Sequence, residues 1–191
     1  FADPDIEADY ASGAKLAYGN GVYVAAWEKG AGPAGTLTAT SGNHLAATNF
    51  GIVCLVMSTG GNPNTSIVTV DQNTNNNGYP DVAYGGGNFL IVWTREFSAT
   101  DHDIHGRIAD SAGNFVTAGT ILIENDTVDQ FRPRAAFSSD ATNNQWLVAW
   151  EDAVTGGMDM YVERVDAAGN VVAASEVQLS NNGTFERQPA L

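Results

Sequence analysis

The sequence predicts an all-β chain built of tandem four-stranded antiparallel sheets, and three observations predict it. First, Pro80-Asp81-Val82-Ala83-Tyr84-Gly85-Gly86-Gly87-Asn88-Phe89-Leu90-Ile91-Val92-Trp93 returns as a stretch running from Pro133 through Ala135-Ala136-Phe137 to Trp146-Leu147-Val148-Ala149-Trp150. Each reads as a short strand, a turn and a longer apolar strand ending in Trp. A weaker copy runs from Ala14 through Tyr18-Gly19-Asn20-Gly21 to Trp27. Second, Asp103 and Asp159 stand 56 residues apart (159 − 103), and Asp110/Asp166, Gly113/Gly169, Asn114/Asn170 and Pro133/Pro189 keep that step. Third, no stretch sustains a helical period.

The elements follow in order. Residues 1–13 match the repeat poorly and read as a linker or the tail of a preceding unit. Repeat 1 covers 14–79 and carries an insertion of small residues at 29–49 before the apolar run Phe50 to Met57. Repeat 2 covers 80–132, repeat 3 covers 133–188, and 189–191 opens a fourth. Within a repeat, strand A follows the Pro (Val82 to Tyr84) and strand B ends in Trp (Phe89 to Trp93). Strand C starts at the Asp (Asp103 to Ala109) and strand D is short (Thr120 to Ile123). Between C and D, Asp110-Ser111-Ala112-Gly113-Asn114 and Asp166-Ala167-Ala168-Gly169-Asn170 are turns by mechanism: Asp bonds its own backbone, and Gly and Asn accept a positive φ.

A period of about 50 residues holding four short strands is the pattern of a β-propeller blade, so the fold is predicted to be β-propeller-like, with three full repeats and the start of a fourth. Pro-x-Val-Ala-Tyr, the Gly-rich turn, Phe-Leu-Ile-Val-Trp, Asp-Ile-x-Gly-Arg-Ile and Asp-x-x-Gly-Asn resemble the blade repeats of secreted bacterial and archaeal propeller proteins. The resemblance spans residues 14–191 and implies an extracellular or cell-surface location rather than a reaction. A closed ring ordinarily needs four blades. The segment is therefore expected to belong to a longer ring, or to be completed by another chain through strand addition of the Pro189 segment, giving a head-to-tail filament.

Composition narrows the partners. The chain has 22 acidic residues against 8 basic ones, a formal net charge of −14. Without clustered Lys and Arg there is no footprint for nucleic acid or for an anionic membrane surface. No apolar run approaches the ~20 residues of a bilayer span, and residues 1–13 show no basic stretch followed by an apolar one, so any secretion signal is expected to have been removed or never to have belonged to this segment. Cys54, the sole cysteine, sits in Val53-Cys54-Leu55-Val56 and reads as a buried thiol.

Repetition also sorts the candidate sites, because a residue present in every unit serves the unit. Asp101-His102-Asp103-Ile104-His105 has the chemistry of a metal site, but the next repeat keeps only the Asp, and alternation sends His102 and His105 to opposite faces. Asp71, Asn73, Asn75, Asn77 and Asp81 follow the spacing of an oxygen-ligand calcium loop, with Asn where such loops carry Asp and without the closing Glu. Calcium is thus the one cofactor the sequence offers. Sequons stand at Asn64, Asn125 and Asn182, and Thr127 and Ser111 lie in short Asp-Ser/Thr-apolar motifs that resemble bacterial O-glycosylation sites. Ser138-Ser139-Asp140 ahead of Trp146 resembles the Asp-box of sialidase propellers, but the Gly is missing and the spacing differs. Trp27, Trp93 and Trp150 are expected in the core between units, and Trp146, lacking a counterpart, is expected to be exposed.

The expectation is a non-enzymatic extracellular structural or adhesive repeat protein, with copies of itself, other cell-surface proteins or glycans as partners. The alternative is a carbohydrate-binding or carbohydrate-processing propeller whose active residues lie elsewhere.

Overall fold

The computed structural model describes residues 14–30, 50–98, 100–140, 144–154, 157–181, 186 and 189–191. They form three four-stranded antiparallel sheets, and no helix occurs among them. The first sheet is β1 (Lys15–Gly19), β2 (Val22–Gly30), β3 (Phe50–Ser58) and β4 (Val68–Asp71). The second is β5 (Asn77–Gly85), β6 (Asn88–Ser98), β7 (Asp101–Ala109) and β8 (Ile121–Glu124). The third is β9 (Gln130–Ser139), β10 (Asn144–Val154), β11 (Gly157–Asp166) and β12 (Val177–Gln178). Each sheet is a meander in which neighbours in sequence are neighbours in space. The predicted insertion at 29–49 and the segment 1–13 lie largely or wholly outside the described residues.

Turn chemistry fixes the register. Asn20 and Gly21 have φ of 47° and 76°, and Gly86 and Gly87 have 58° and 85°. Two consecutive residues at positive φ make the tight hairpin turn whose twist matches the flanking strands. Gly19 accordingly pairs with Val22, and Gly85 with Asn88. The C-to-D turns repeat bond for bond. Asp110 Oδ1 accepts from Ala112 N at 2.8 Å and Asn114 N at 2.9 Å, and Asp166 Oδ1 accepts from Ala168 N at 2.9 Å and Asn170 N at 2.8 Å. Both carboxyls titrate below the ordinary range: burial pushes slightly the other way, and the Asn114 or Asn170 amide leads the bonds that hold them ionised.

Strand A starts earlier than the prolines suggest. β5 begins at Asn77 and β9 at Gln130, because the chain enters each strand through a bulge rather than at the Pro. Tyr79 and Arg132, the residues before Pro80 and Pro133, both have φ of 52°, and the ladder shifts register between Gly78 and Asp81 and again opposite Pro133. Proline offers no N–H to a ladder, and a bulge absorbs the gap. Strands C also extend upstream, to Asp101 and Gly157, and β12 shrinks to two residues.

Two cores result, one in each seam between sheets. Val24, Ala26, Ile52, Cys54 and Val56 of the first sheet meet Val82, Phe89, Ile91 and Trp93 of the second. Leu90, Val92, Ile104 and Ile108 of the second meet Ala135, Trp146, Val148 and Trp150 of the third. Cys54 is fully buried, as expected, and burial pushes its thiol up to about 11, with Arg107 opposing. Trp93 and Trp150 are buried as expected, whereas Trp27 is half-buried.

Trp146 is a correction. It is fully buried, because it is the counterpart of Phe89 and pairs across the strands with Phe137 as Phe89 pairs with Tyr84. The ring centroids are 5.0 Å apart in both pairs, and 4.9 Å in the matching Tyr18–Tyr23 pair. Cross-strand aromatic pairs of this kind pin the hairpins.

Candidate functional site

The seams gather the polar residues that a chemical reading would single out. At the seam between the first and second sheets, Asn77 is fully buried at the start of β5. Its Oδ1 accepts from Trp93 Nε1 at 3.1 Å and from Arg95 Nε at 3.4 Å. Its Nδ2 donates to Phe50 O at 3.1 Å and to Asn75 O at 3.3 Å. Arg95 also donates to Asp71 Oδ2 in a short ion pair across the seam, and Arg107 Nη1 donates to Val70 O at 2.6 Å. Two guanidiniums of the second sheet are thus anchored on β4 of the first.

The candidate calcium-loop residues divide between the two seams, with Asp71, Asn73, Asn75 and Asn77 on the side of the first and Asp81 on the side of the second. Asp71 Oδ2 accepts from Arg95 and from Asn73 Nδ2. Asn73 Oδ1 accepts from Asn75 N at 2.7 Å, a local Asx turn. Asp81 Oδ2 points to the other seam, where it accepts from Ala135 N at 3.0 Å. The positive charge beside Asp71 is supplied by Arg95. Among the described residues no three His, Cys, Asp or Glu side chains converge as a metal-holding group.

His102 and His105 are both buried and diverge, as alternation requires. His102 Nδ1 shares a hydrogen bond with Asp129 Oδ1 and its ring packs against Phe131 at 4.6 Å. His105 faces the first seam, stacked on Trp93 at 6.1 Å and 22°. Burial, then the charge of Arg95, pulls it down to about 3, so it is a neutral ring in the seam. Tyr161 stacks on Trp150 at 6.1 Å and 24°, which gives His105 the same structural role one repeat earlier.

Of the modification candidates, Asn64, Asn125 and Thr127 are exposed. Ser111 is half-buried, and its Oγ accepts from Asn20 Nδ2 at 2.9 Å, tying the C-to-D turn of the second sheet to the hairpin of the first. Asn182 lies outside the described residues.

The seam between the second and third sheets has the same plan and the opposite charge. By strand register, Asp152 stands where Arg95 stands, Glu163 where Arg107 stands, and Glu124 where Asp71 stands. Two cations facing a carboxylate have become two carboxylates facing a carboxylate. Asp152 is pushed up to about 6, first by burial and then by Glu124 and Asp126, against the bonds it accepts from Trp150 and Gln130. Glu163 is pushed up to about 7 by burial, Glu124 and Glu176. Asp103, in the first seam, reaches about 6 through burial and Asp101, with Arg95 opposing. Asp159, buried opposite Asp152, leaves Oδ1 without a partner while Oδ2 accepts from Gln178 Nε2 at 2.7 Å.

The sheets also interlock by shape. A Cβ built on Gly19 would lie 2.0 Å from the Tyr84 ring, and one on Gly85 would lie 1.8 Å from the Phe137 ring. Each strand-A aromatic is seated flat on the glycine of the sheet before it. Sequence reasoning missed these seats, although the recurring dipeptides Tyr18-Gly19 and Tyr84-Gly85, broken at Phe137-Ser138, carried the signal.

One substitution tests whether this polar set is structural. Asn77→Ala removes the acceptor of a buried indole N–H and the donor to Phe50 O, and each orphaned group costs about 1–3 kcal/mol. The expected result is a loss of about 2–4 kcal/mol by denaturant titration with the sheet content unchanged by circular dichroism. Comparison of the sequence with protein-family models and with curated proteins finds no match.

Proposed function

We propose that this chain is a non-enzymatic structural or adhesive repeat protein of the cell exterior, propeller-like in arrangement, that acts through the surfaces of its stacked sheets. One observation carries the reading: most of the polar groups that looked chemical in the sequence are spent on architecture, and His105, whose ring nitrogens make no hydrogen bond, is stacked on Trp93 inside the first seam. Asp71, Asn77, Asp81, His102, Asp110 and Asp166 each bond a turn, a strand start or the next sheet. A surface role needs such a frame, whereas catalysis needs groups held ready for a substrate. Strand A of the second sheet packs against strand A of both neighbours, which supports a blade-like succession.

Assembly of copies by strand sharing belongs to the same reading. The segment Pro189-Ala190-Leu191 corresponds to Pro133-Arg134-Ala135 within β9 and lies outside any strand, with Leu191 54% exposed. Strand addition through this segment to a sheet of another copy is the form of assembly proposed. Electron microscopy of the purified chain across a concentration series is expected to show filaments, and a panel of glycoside substrates is expected to show no turnover. Turnover of any of them would sink the non-enzymatic reading, and a chain that stays single at every concentration would sink the strand-sharing version.

A further inference from the structure

The first sheet presents to its outside the face that the second and third sheets bury. Strand register places Leu16 and Tyr18 where β5 has Val82 and Tyr84 and where β9 has Ala135 and Phe137. Val82 and Ala135 are 6% and 8% exposed, but Leu16 and Tyr18 are 58% and 55% exposed. Tyr84 and Phe137 sit on the glycines of the preceding sheet. Tyr18 is the same aromatic at the same place, with its ring in solvent. Farther along the same face, six residues beyond Tyr23, the cross-strand partner of Tyr18, Lys29 stands where Arg95 stands, the residue that reaches Asp71 across the first seam.

We infer that this face, Leu16 and Tyr18 of β1 with Lys29 of β2, is an interaction surface for the trailing face of another sheet of the same repeat type. That sheet carries glycine at the place of Gly19 and Gly85 and a carboxylate at the place of Asp71. The inference rests on the surface-acting reading above and names its partner. The chemistry of the face selects the occupant: an aromatic at this place sits where any Cβ would collide, so glycine is required beneath it, and the cation at the far end of the same face wants an anion opposite. The trailing face of this chain's own third sheet offers neither. Ser138 stands exposed at the glycine place, and Ser180 stands at the carboxylate place, its Oγ accepting from Met160 N. The two outer faces of the described sheets are therefore unequal: the first presents an aromatic and a cation, and the third lacks the glycine seat and the carboxylate.

The full chain tests this by gaining the missing partner. Ser138→Gly with Ser180→Asp gives the third sheet the glycine seat and the carboxylate. Light scattering of this double variant is expected to show association above that of the wild type, growing head to tail with concentration. Adding Tyr18→Asp is expected to cancel the increment, and Leu16→Asp repeats the test at the neighbouring residue. Leu16 is exposed and outside the Tyr18–Tyr23 pair, so the Leu16→Asp melting curve should match its parent, whereas Tyr18→Asp also loses that pair and is expected to melt slightly lower. Strand sharing does not involve Tyr18, so any wild-type association from that source persists in Tyr18→Asp. No increment in the double variant would overturn the inference. Wild-type association lost in Tyr18→Asp would overturn it too, since a copy with serine in the seat would then be the occupant. Turnover of a glycoside would sink the parent reading and leave these masses unchanged.

Discussion

Gly85→Val is expected to lower the melting temperature more than any other single change considered. The new Cβ falls 1.8 Å from Phe137 Cγ and 2.4 Å from Phe137 Cβ, the near end of that side chain, so the sheets must part or the ring must leave its seat. Overpacking of this kind costs about 3 kcal/mol or more, or roughly 6–12 °C for a domain of this size. Phe137→Ala alone also destabilises, by removing a ring packed on the second core. Combined, the two changes should cost less than their sum, because the second removes the obstacle to the first. Thermal melts of the two singles and the double decide it: strict additivity would mean that Gly85 matters for its backbone and not as a seat.

The second large effect is a gain of stability on acidification. Asp152 near 6, Glu163 near 7 and Asp103 near 6 all titrate above their ordinary values. A carboxyl raised in the folded state binds its proton more tightly there than in the unfolded chain. Its stabilising contribution is fully present below the unfolded value and is lost as pH rises through the folded one. His105 opposes: its folded value near 3 lies below its ordinary one, so it weakens the fold as pH falls through about 6.5. Three carboxyls outweigh one imidazole, and the melting temperature should climb as pH falls from 8 to about 5. Glu163→Gln should raise it most at pH 8, by progressively less as pH falls toward about 4.5, and flatten the profile between. A profile that falls steadily from pH 8 to pH 5 would show that the seam carboxylates find their compensation elsewhere.

Much of the fold was legible because repetition doubles every weak signal. The Asp-x-x-Gly-Asn turns came through bond for bond, since their chemistry is local: one carboxylate and two backbone N–H groups within five residues. The Trp ladders followed from period and composition. Strand starts were misplaced because the bulge before Pro80 and Pro133 depends on a positive φ at Tyr79 and Arg132, residue types that do not announce it. Trp146 was read as exposed because its counterpart is Phe89 and the two chemistries look different in a line of letters. The candidate calcium loop failed to reveal Arg95, which is distant in sequence and comes to Asp71 only when two sheets stack. Contacts between repeats are the part that a single pass along the chain cannot see. The reversal of charge from Arg95 and Arg107 to Asp152 and Glu163 becomes visible only once registers are aligned.

That reversal sets an order of opening. Both seams hold an apolar core, to which the first adds charge attraction and the second adds repulsion. Near neutral pH the third sheet is therefore the part that parts company first, and the first and second sheets remain a unit after it has gone. Added salt works unevenly on the pair, weakening the attraction on one side and relieving the repulsion on the other, within the limits that burial sets on screening. A dilute neutral buffer is therefore expected to loosen the second seam, and an acidic one to tighten it.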